Sequence, residues 1–415
     1  MNILRNGFIY DSVRHINICS VENEEMTQNL SASQIDAVIK AYESNIVVPC
    51  FRLYLLYEDE TPNIDISEDL ISGNLSVTYQ TGQRRTLNVS LINEDNKYKP
   101  DPINGLIWTG TKFRLDIGIF YEGTIYWKQQ GIFVLKDPSR SRDGASTTIS
   151  LSLADKFGLF DGSVYGKSSL KTIIPVNIPI RQAFYTLIGT DRGNGVAYDL
   201  KEIHFDRRYY HEKTPYTIKQ EAGRNMGDIL IELGQGIACD VYYNEYGNLC
   251  IQSNQLDFIN NNFVVAYRIN ETNRGVSFSI SENWSKMRNK IVVKGNIVNG
   301  YQFSAVVENR NLVSPYCIQY NGEIPENIQD NALYSDTLCM DRGMYEMVNY
   351  SRGVRSLNIS CPLMPLLDVN QSILVTSDYY GFYNNNFVID NFSIDMSSDP
   401  KMSIVLTNIN EVNFS

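Results

Sequence analysis

The chain has 415 residues, 43% hydrophobic and 20% charged, and its 36 basic against 47 acidic side chains leave a formal net charge of -11. That is length for two or three domains, and with 27 Tyr and 17 Phe it is too apolar and aromatic for a disordered chain. The acidity argues against a broad duplex-DNA-binding surface, no run approaches the ~20 apolar residues of a membrane span, and Asn6 and Asp11 interrupt the N-terminus before a signal-peptide core forms.

In chain order, the first element is a helix that Ser31 or Ser33 is placed to cap, with Ile35, Val38, Ile39 and Tyr42 on one side. Strands follow at Phe51–Tyr57, Leu75–Tyr79, Leu87–Leu91, Phe113–Ile119, Ile125–Trp127, Ile132–Leu135 and Thr147–Leu153. Turn clusters at Asn93–Asn96, Asp101-Pro102 and Arg142–Gly144 separate them, so residues 1–160 read as an antiparallel β-barrel or sandwich with one helix. From 161 to 260 the texture is α+β. A short helix spans Ile180–Ile188, and Asn225 is placed to cap a helix with Met226, Ile229, Leu230, Leu233 and Ile237 on one stripe. A hairpin of Cys239–Tyr243 and Leu249–Gln252 turns at Glu245–Asn248. Residues 261–415 return to strands at Val276–Ile280, Lys290–Lys294, Tyr301–Val307, Leu357–Cys361, Ile373–Thr376, Phe387–Ile394 and Met402–Leu406, with a helix at Ser335–Tyr350. This second β domain mirrors the first without a close sequence repeat.

The runs RRTLNVSLINEDNKYKPDP from Arg84, LIWTGTKFRLDIGIF from Leu106 and YWKQQGIFVLKD from Tyr126 resemble the first tube-forming domain of phage tail hub proteins. YTIKQEAGRNMGDILIELGQGIACDVYYNEYGNLCIQ resembles that family's helix-plus-hairpin insert. SKMRNKIVVKGN from Ser285, PLLDVNQSILVTSD from Pro365 and NNFVIDNFSIDMSSDPKMSIVLTNI are similar to its second tube domain. The resemblance implies a homotrimer whose paired tube domains build a ring of pseudo-six-fold symmetry, adapting a six-fold tail tube to a three-fold spike or central fibre. The implied partners are other copies of the chain, the distal tube ring, the spike or fibre and the end of the tape-measure protein, with genomic DNA passing through unbound. The implied location is the tail tip or baseplate of a virion made in the host cytoplasm. The negative charge suggests an acidic inner wall that DNA does not adhere to. Because the chain ends at Ser415, just beyond the last strand, a spike or lysin is expected to be a separate protein.

The residues that bear chemistry do not assemble into a catalytic, cofactor or metal pattern. His204, Asp206 and His211 lack the further ligands of a structural zinc site and read as a polar loop with Arg207 and Arg208; His15 stands alone. The cysteines, at 19, 50, 239, 250, 317, 339 and 361, form no CxxC pair and read as reduced, buried thiols, although Cys239 and Cys250 flank one hairpin. Glu22–Glu25 and Glu58–Glu60 read as solvated loops, not a glycosidase pair. Asn93–Asn96 lacks the glycine of a calcium loop, and Gly189–Gly195 lacks the Lys-Ser/Thr ending of a phosphate loop. The Met226–Ile237 stripe reads as core, and Tyr209, Tyr210, Tyr379 and Tyr380 are interface candidates. The expectation is therefore an assembly protein, not an enzyme. The rivals are a receptor-binding protein that grips cell-wall carbohydrate and a β-rich cell-wall hydrolase.

Overall fold

A computed structural model describes residues 2–4, 8–11, 16–18, 30–43, 47–144, 146–168, 171–193, 195–214, 216–253, 265–273, 275–331, 333–352, 354–397 and 399–408. His15, Cys19 and Glu22–Glu25 lie outside them. The chain is mainly β, and its largest element is a 13-stranded sheet. The path runs Ser277–Glu282, Arg355–Pro362, Lys401–Asn408, Phe382–Asp395, Leu70–Thr78, Arg85–Ile92, Ser146–Asp155, Thr124–Asp143, Lys112–Tyr121, Val48–Leu56 and Pro62–Asp65, each strand antiparallel to the next. Ser372–Ser377 pairs with the first half of Phe382–Asp395, and Val265–Asn270 lies parallel beside it.

The strand order contains a repeat. Leu70–Thr78, Arg85–Ile92, Ser146–Asp155 and the second half of Thr124–Asp143 follow one another as do Ser277–Glu282, Arg355–Pro362, Lys401–Asn408 and the second half of Phe382–Asp395. Both final strands carry an extra residue at a bulge, Lys136 in one and Asp390 in the other. Through these registers Leu87-Asn88-Val89-Ser90 coincides with Leu357-Asn358-Ile359-Ser360, since Leu87 faces Leu153 and Leu357 faces Leu406. The kinship of the two regions is thus structural, with a four-residue similarity brought into register by the shared strand order. It shows only through the register, because Leu-Asn-x-Ser carries no signal by itself.

The two repeats meet edge to edge, Phe392 opposite Val77, Ser393 opposite Ser76 and Ile394 opposite Leu75. One apolar cluster, from Leu53 and Leu75 through Leu151 to Ile394 and Leu406, underlies both. The helix Ala32–Glu43 adds Ile35, Val38 and Ile39 to it. Its start is a reciprocal capping box, in which the Ser31 amide donates to Gln34 Oε1 (2.7 Å) and the Gln34 amide donates to Ser31 Oγ (3.4 Å).

A second cluster belongs to the middle segment. There Met226, Ile229, Leu230, Leu233 and Ile237 pack with Val241, Tyr243, Leu249 and Ile251 and with the helix Ile180–Ile188. Asn225 occupies the N-cap position of Met226–Gln235, but its side chain makes no capping bond. The Met226 amide instead donates to Gly166 O (2.8 Å), and Gly166 sits at φ +105 with space for no side chain, since a Cβ there would lie 2.3 Å from the Phe160 carbonyl. Gly166→Ala should cost about 2–5 kcal/mol from strain plus overlap, read as a lowered denaturant midpoint with an unchanged slope.

A third cluster joins Ile291, Val293, Ala305 and Val307 to Leu333, Cys339 and Met347. Here Lys290–Val298 pairs with Tyr301–Glu308 and Pro325–Gln329 under the helix Asp336–Arg352. The sequence reading placed the first two of these strands in the C-terminal barrel. They form a sheet of their own because their inward residues face the helix. Several strands escaped the pattern altogether, among them Pro62–Asp65, His204–Phe205 and Val265–Asn270. Ile125–Trp127, Ile132–Leu135 and the supposed turn at Arg142-Asp143 belong to one 20-residue strand.

Candidate functional site: the shared sheet and its charged junction

The residues of the repeat that alternate with the core make a face of hydroxyls and amides. Ser72, Ser90, Ser150 and Ser139 stand in one row across the first repeat, and Ser277, Ser360, Ser403 and Ser393 in the matching row of the second. Ser76, Thr86 and Asn88 flank the first row, and Ser281 and Asn358 the second. Charge enters this face at its margins, as Asp137, Asp143 and the facing pair Asp395 and Lys401. The face is otherwise polar, and the charges at its margins are three carboxylates and one ammonium.

Behind the seam between the repeats, all three clusters are tied together by buried charge. Arg352 lies over the Tyr79 ring (3.6 Å), Arg84 lies between Tyr79 (5.0 Å) and Tyr242 (3.2 Å), and Arg352 Nε donates to Asp390 Oδ1 (2.9 Å). Asp240, 1% exposed, accepts from Tyr79 OH (2.7 Å) and Tyr345 OH (3.2 Å) and faces Arg84 Nη2 at 3.6 Å. One carboxylate therefore holds a tyrosine of the sheet, an arginine beside it and a tyrosine of the last helix. Next to it the middle hairpin extends the loop of the first repeat, with the Gly82 amide donating to Val241 O (2.6 Å) and the Val241 amide to Thr81 Oγ1 (3.1 Å).

The hairpin turn Glu245–Asn248 plugs the other side. Glu245 accepts from Lys128 Nζ (3.0 Å), and Lys128 also donates to Tyr246 OH. Arg85 Nη2 reaches Asp368 Oδ2 at 2.5 Å and Glu245 Oε2 at 3.9 Å, linking the two repeats and the plug. Asp155 accepts the backbone amides of Arg84 (2.8 Å), Arg85 (2.9 Å) and Phe157 (3.0 Å); burial nevertheless pushes its carboxyl up to about 6. Lys156, fully buried, donates to Glu60 Oε1 (2.5 Å), Asp199 Oδ2 (2.8 Å) and Gly247 O (2.9 Å). Glu60 also meets Lys201 (2.8 Å) and Lys112 (3.3 Å). Burial alone would raise Glu60, but Lys156, Lys201 and Lys112 outweigh it and hold the carboxyl below its ordinary value; for Asp199 burial is likewise overcome, chiefly by Lys156.

Glu60 is thus a miss of the sequence reading. Glu58 and Asp59 are exposed as expected, but Glu60 turns inward at φ 69 and its side chain is 6% exposed. Asp206 is held by Arg208 (2.6 Å to Nη2) and caps its own short turn, while His204 pairs into the hairpin sheet opposite Cys250 and His211 is exposed beside Tyr210. Among the described residues, no group of three or more His, Cys, Asp and Glu side chains is arranged to hold a metal ion. Cys250 faces Tyr242 across the hairpin, not Cys239; both thiols are buried, and burial raises both, that of Cys250 up to about 12.

Asn93 is buried and its Oδ1 accepts the Tyr98 amide (2.9 Å), leaving an ordinary turn. In Gly189–Gly195, Asp191 Oδ1 accepts the amides of Gly193 (2.7 Å) and Gly195 (2.9 Å), and Arg192 reaches Glu58 (2.6 Å). Tyr209 packs on the middle cluster and Tyr380 stacks on Phe382, whereas Tyr379 is 84% and Tyr210 44% exposed. No residue pattern foretold the junction. Its arginines, tyrosines and carboxylates come from segments far apart in the chain.

Residues 313–412 match a family model described as a domain of unknown function (DUF5048), and no curated protein matches the chain in sequence. In fold, the chain is similar to the tail protein from Neisseria meningitidis MC58, with a TM-score of 0.59 and 8% identity over 88% of this chain and 99% of that one. It is similar also to the 43 kDa tail protein of prophage MuSo2 from Shewanella oneidensis, with a TM-score of 0.56 and 13% identity over 88% and 99%. A chain of the half-lidded PdpA-VgrG complex of Francisella gives a TM-score of 0.52 and 9% identity over 94% of this chain and 63% of that one. The protein has the fold of phage tail proteins.

Proposed function

We propose that the chain is the hub of a phage or phage-like tail tip, a structural protein of the virion with no enzymatic step. Three copies close into a ring that continues a six-fold tail tube on one side and carries a three-fold spike or central fibre on the other. The observation that carries this reading is the repeat: two four-stranded units of the same strand order, already joined edge to edge within one chain. Three such chains offer six similar positions, the geometry needed between six-fold and three-fold neighbours. The tail-protein names of the structures that share the fold support it. In this ring the Ser/Thr/Asn face lines the channel. Hydroxyls and amides hold water there and, without clustered Lys and Arg, phosphates gain nothing from counterion release, so DNA passes without adhering. The end of the tape-measure protein occupies the same channel before ejection. No cofactor takes part.

Mass measurement of the full chain, alone and with its neighbouring tail proteins, tests the reading. Three copies per ring are expected in at least the second sample. Absence of three-fold assembly in both would remove the hub assignment.

A further inference from the structure

The sequence contains five Asn-Gly pairs, and three of them, Asn104-Gly105, Asn299-Gly300 and Asn321-Gly322, lie wholly among the described residues. Such a pair can react within itself, because glycine has no side chain to shield its amide nitrogen from the neighbouring asparagine carboxamide. All three pairs are exposed. Exposure therefore does not separate them, whereas the hydrogen bonding of each glycine amide does.

In Asn321-Gly322 both reacting groups are held. The Gly322 amide donates to Ile318 O (2.8 Å), and Asn321 Nδ2 donates to Pro315 O (2.7 Å) and Cys317 O (3.1 Å). In Asn104-Gly105 the Gly105 amide donates to Asp101 O (3.1 Å) and the Asn104 amide to Asp101 Oδ1 (3.1 Å). Gly105 is also pressed against the preceding chain, since a Cβ there would lie 2.6 Å from Lys99 O and 2.7 Å from Asp101 N. Neither glycine nitrogen can turn toward its asparagine without giving up a bond.

Asn299-Gly300 differs on both counts. It forms the two-residue turn between the paired residues Val298 and Tyr301, with φ 52 and 84, the left-handed pair of a type I′ hairpin. Among the described residues the Gly300 amide has no backbone acceptor, and a Cβ on Gly300 would meet nothing within 4 Å. The register of the hairpin shifts between Lys294 and Ile297, so two residue pairs, Ile297 with Gln302 and Val298 with Tyr301, carry the tip beyond the irregularity. The residues that suit the turn best are thus the ones left free to react.

We propose that Asn299 is a site of spontaneous deamidation, at which the chain modifies itself with water and hydroxide as co-reactants. Hydroxide takes the proton of the Gly300 amide, and the nitrogen attacks Asn299 Cγ. The N–Cγ bond forms, the Cγ–Nδ2 bond breaks, and Nδ2 leaves as ammonia with a proton from water. The product is a cyclic succinimide. Water then opens it at either carbonyl, giving aspartate, or isoaspartate in which the main chain runs through the side-chain carbonyl carbon. The sum is a water gained and an ammonia lost, with no change of oxidation state. Both products set a carboxylate beside Ile297 (61% exposed), Val298 (40%) and Tyr301 (56%), and isoaspartate also lengthens a turn whose geometry fits two ordinary residues. An apolar hairpin tip becomes charged as the protein ages.

Peptide mapping of the full chain by mass spectrometry, after incubation at neutral and mildly alkaline pH, tests the site. Each conversion adds about 1 Da. In the folded chain Asn299 should convert at least about fivefold faster than Asn104 or Asn321, the factor that one retained hydrogen bond imposes, and faster still as hydroxide rises. In denaturant the three should converge, because unfolding frees every glycine amide. Asn299→Gln, whose longer side chain closes the ring poorly, should abolish the fast conversion and leave the slow ones. Conversion of Asn104 or Asn321 as fast as Asn299 in the folded chain overturns the proposal. An Asn299 that stays intact in the folded chain while the denatured chain converts also overturns it, by showing that the left-handed turn protects the pair.

Discussion

Lys156→Met should destabilise the protein by about 3–5 kcal/mol at neutral pH, the loss expected when one partner of a buried charge group is removed. The ammonium is fully buried between Glu60 and Asp199, whose side chains are 6% and 4% exposed, and it also donates to Gly247 O. Lys201 and Lys112 stay beside Glu60, so Asp199 bears most of the loss. Methionine fills the space without supplying a donor. The pH dependence identifies the cause. Both carboxyls lie below their ordinary values in the folded chain, so their stabilisation is complete above the ordinary carboxylate range and disappears as pH falls through the depressed values. The gap between parent and variant in denaturant midpoint should be widest above about pH 5 and narrow on acidification. A gap independent of pH would mean that Lys156 acts through packing alone.

Asp240→Ala should cost a similar amount, about 3–5 kcal/mol, by leaving the buried Arg84 guanidinium without its facing carboxylate and the hydroxyls of Tyr79 and Tyr345 without their shared acceptor. Asp240→Asn keeps an acceptor oxygen and loses only the charge, so it should fall between parent and alanine variant. Because Asp240 sits where the sheet, the middle hairpin and the last helix meet, its removal should also loosen the docking of the middle segment. Hydrogen exchange should then rise in Asp240–Tyr243 and at the C-terminal end of Asp336–Arg352 before it rises in the strands Arg85–Ile92 and Arg355–Pro362. Uniform acceleration in all of them would show that the junction stabilises the fold as one cooperative unit.

The strands of the large sheet were legible because they are half-buried. Leu87, Val89 and Leu91 alternate with polar residues, and the same alternation marks Leu357–Cys361 and Met402–Leu406. Helices with one buried side, such as Ile180–Ile188, were legible for the same reason at their own period. Short or edge strands such as Pro62–Asp65 were not, since a few residues at a margin bury too little to impose a pattern. The solvated loop read at Glu58–Glu60 fails at Glu60, because whether a carboxylate faces water or three lysines depends on segments that meet it only in the folded chain.

Sequence alone was sufficient for the class of structure, mainly β. Side-chain periodicity is a local property, dictated by which face of each strand or helix meets water. Tertiary structure decided how those elements combine. It joined the two regions in a single sheet through Leu75 and Ile394 and revealed their common strand order. It also showed that the net charge of -11 does not gather on the polar face of that sheet, where serine and asparagine predominate. Pairing and register are relations between distant segments, set by the hydrogen bonds and buried area of the whole, and no single stretch of the chain contains them.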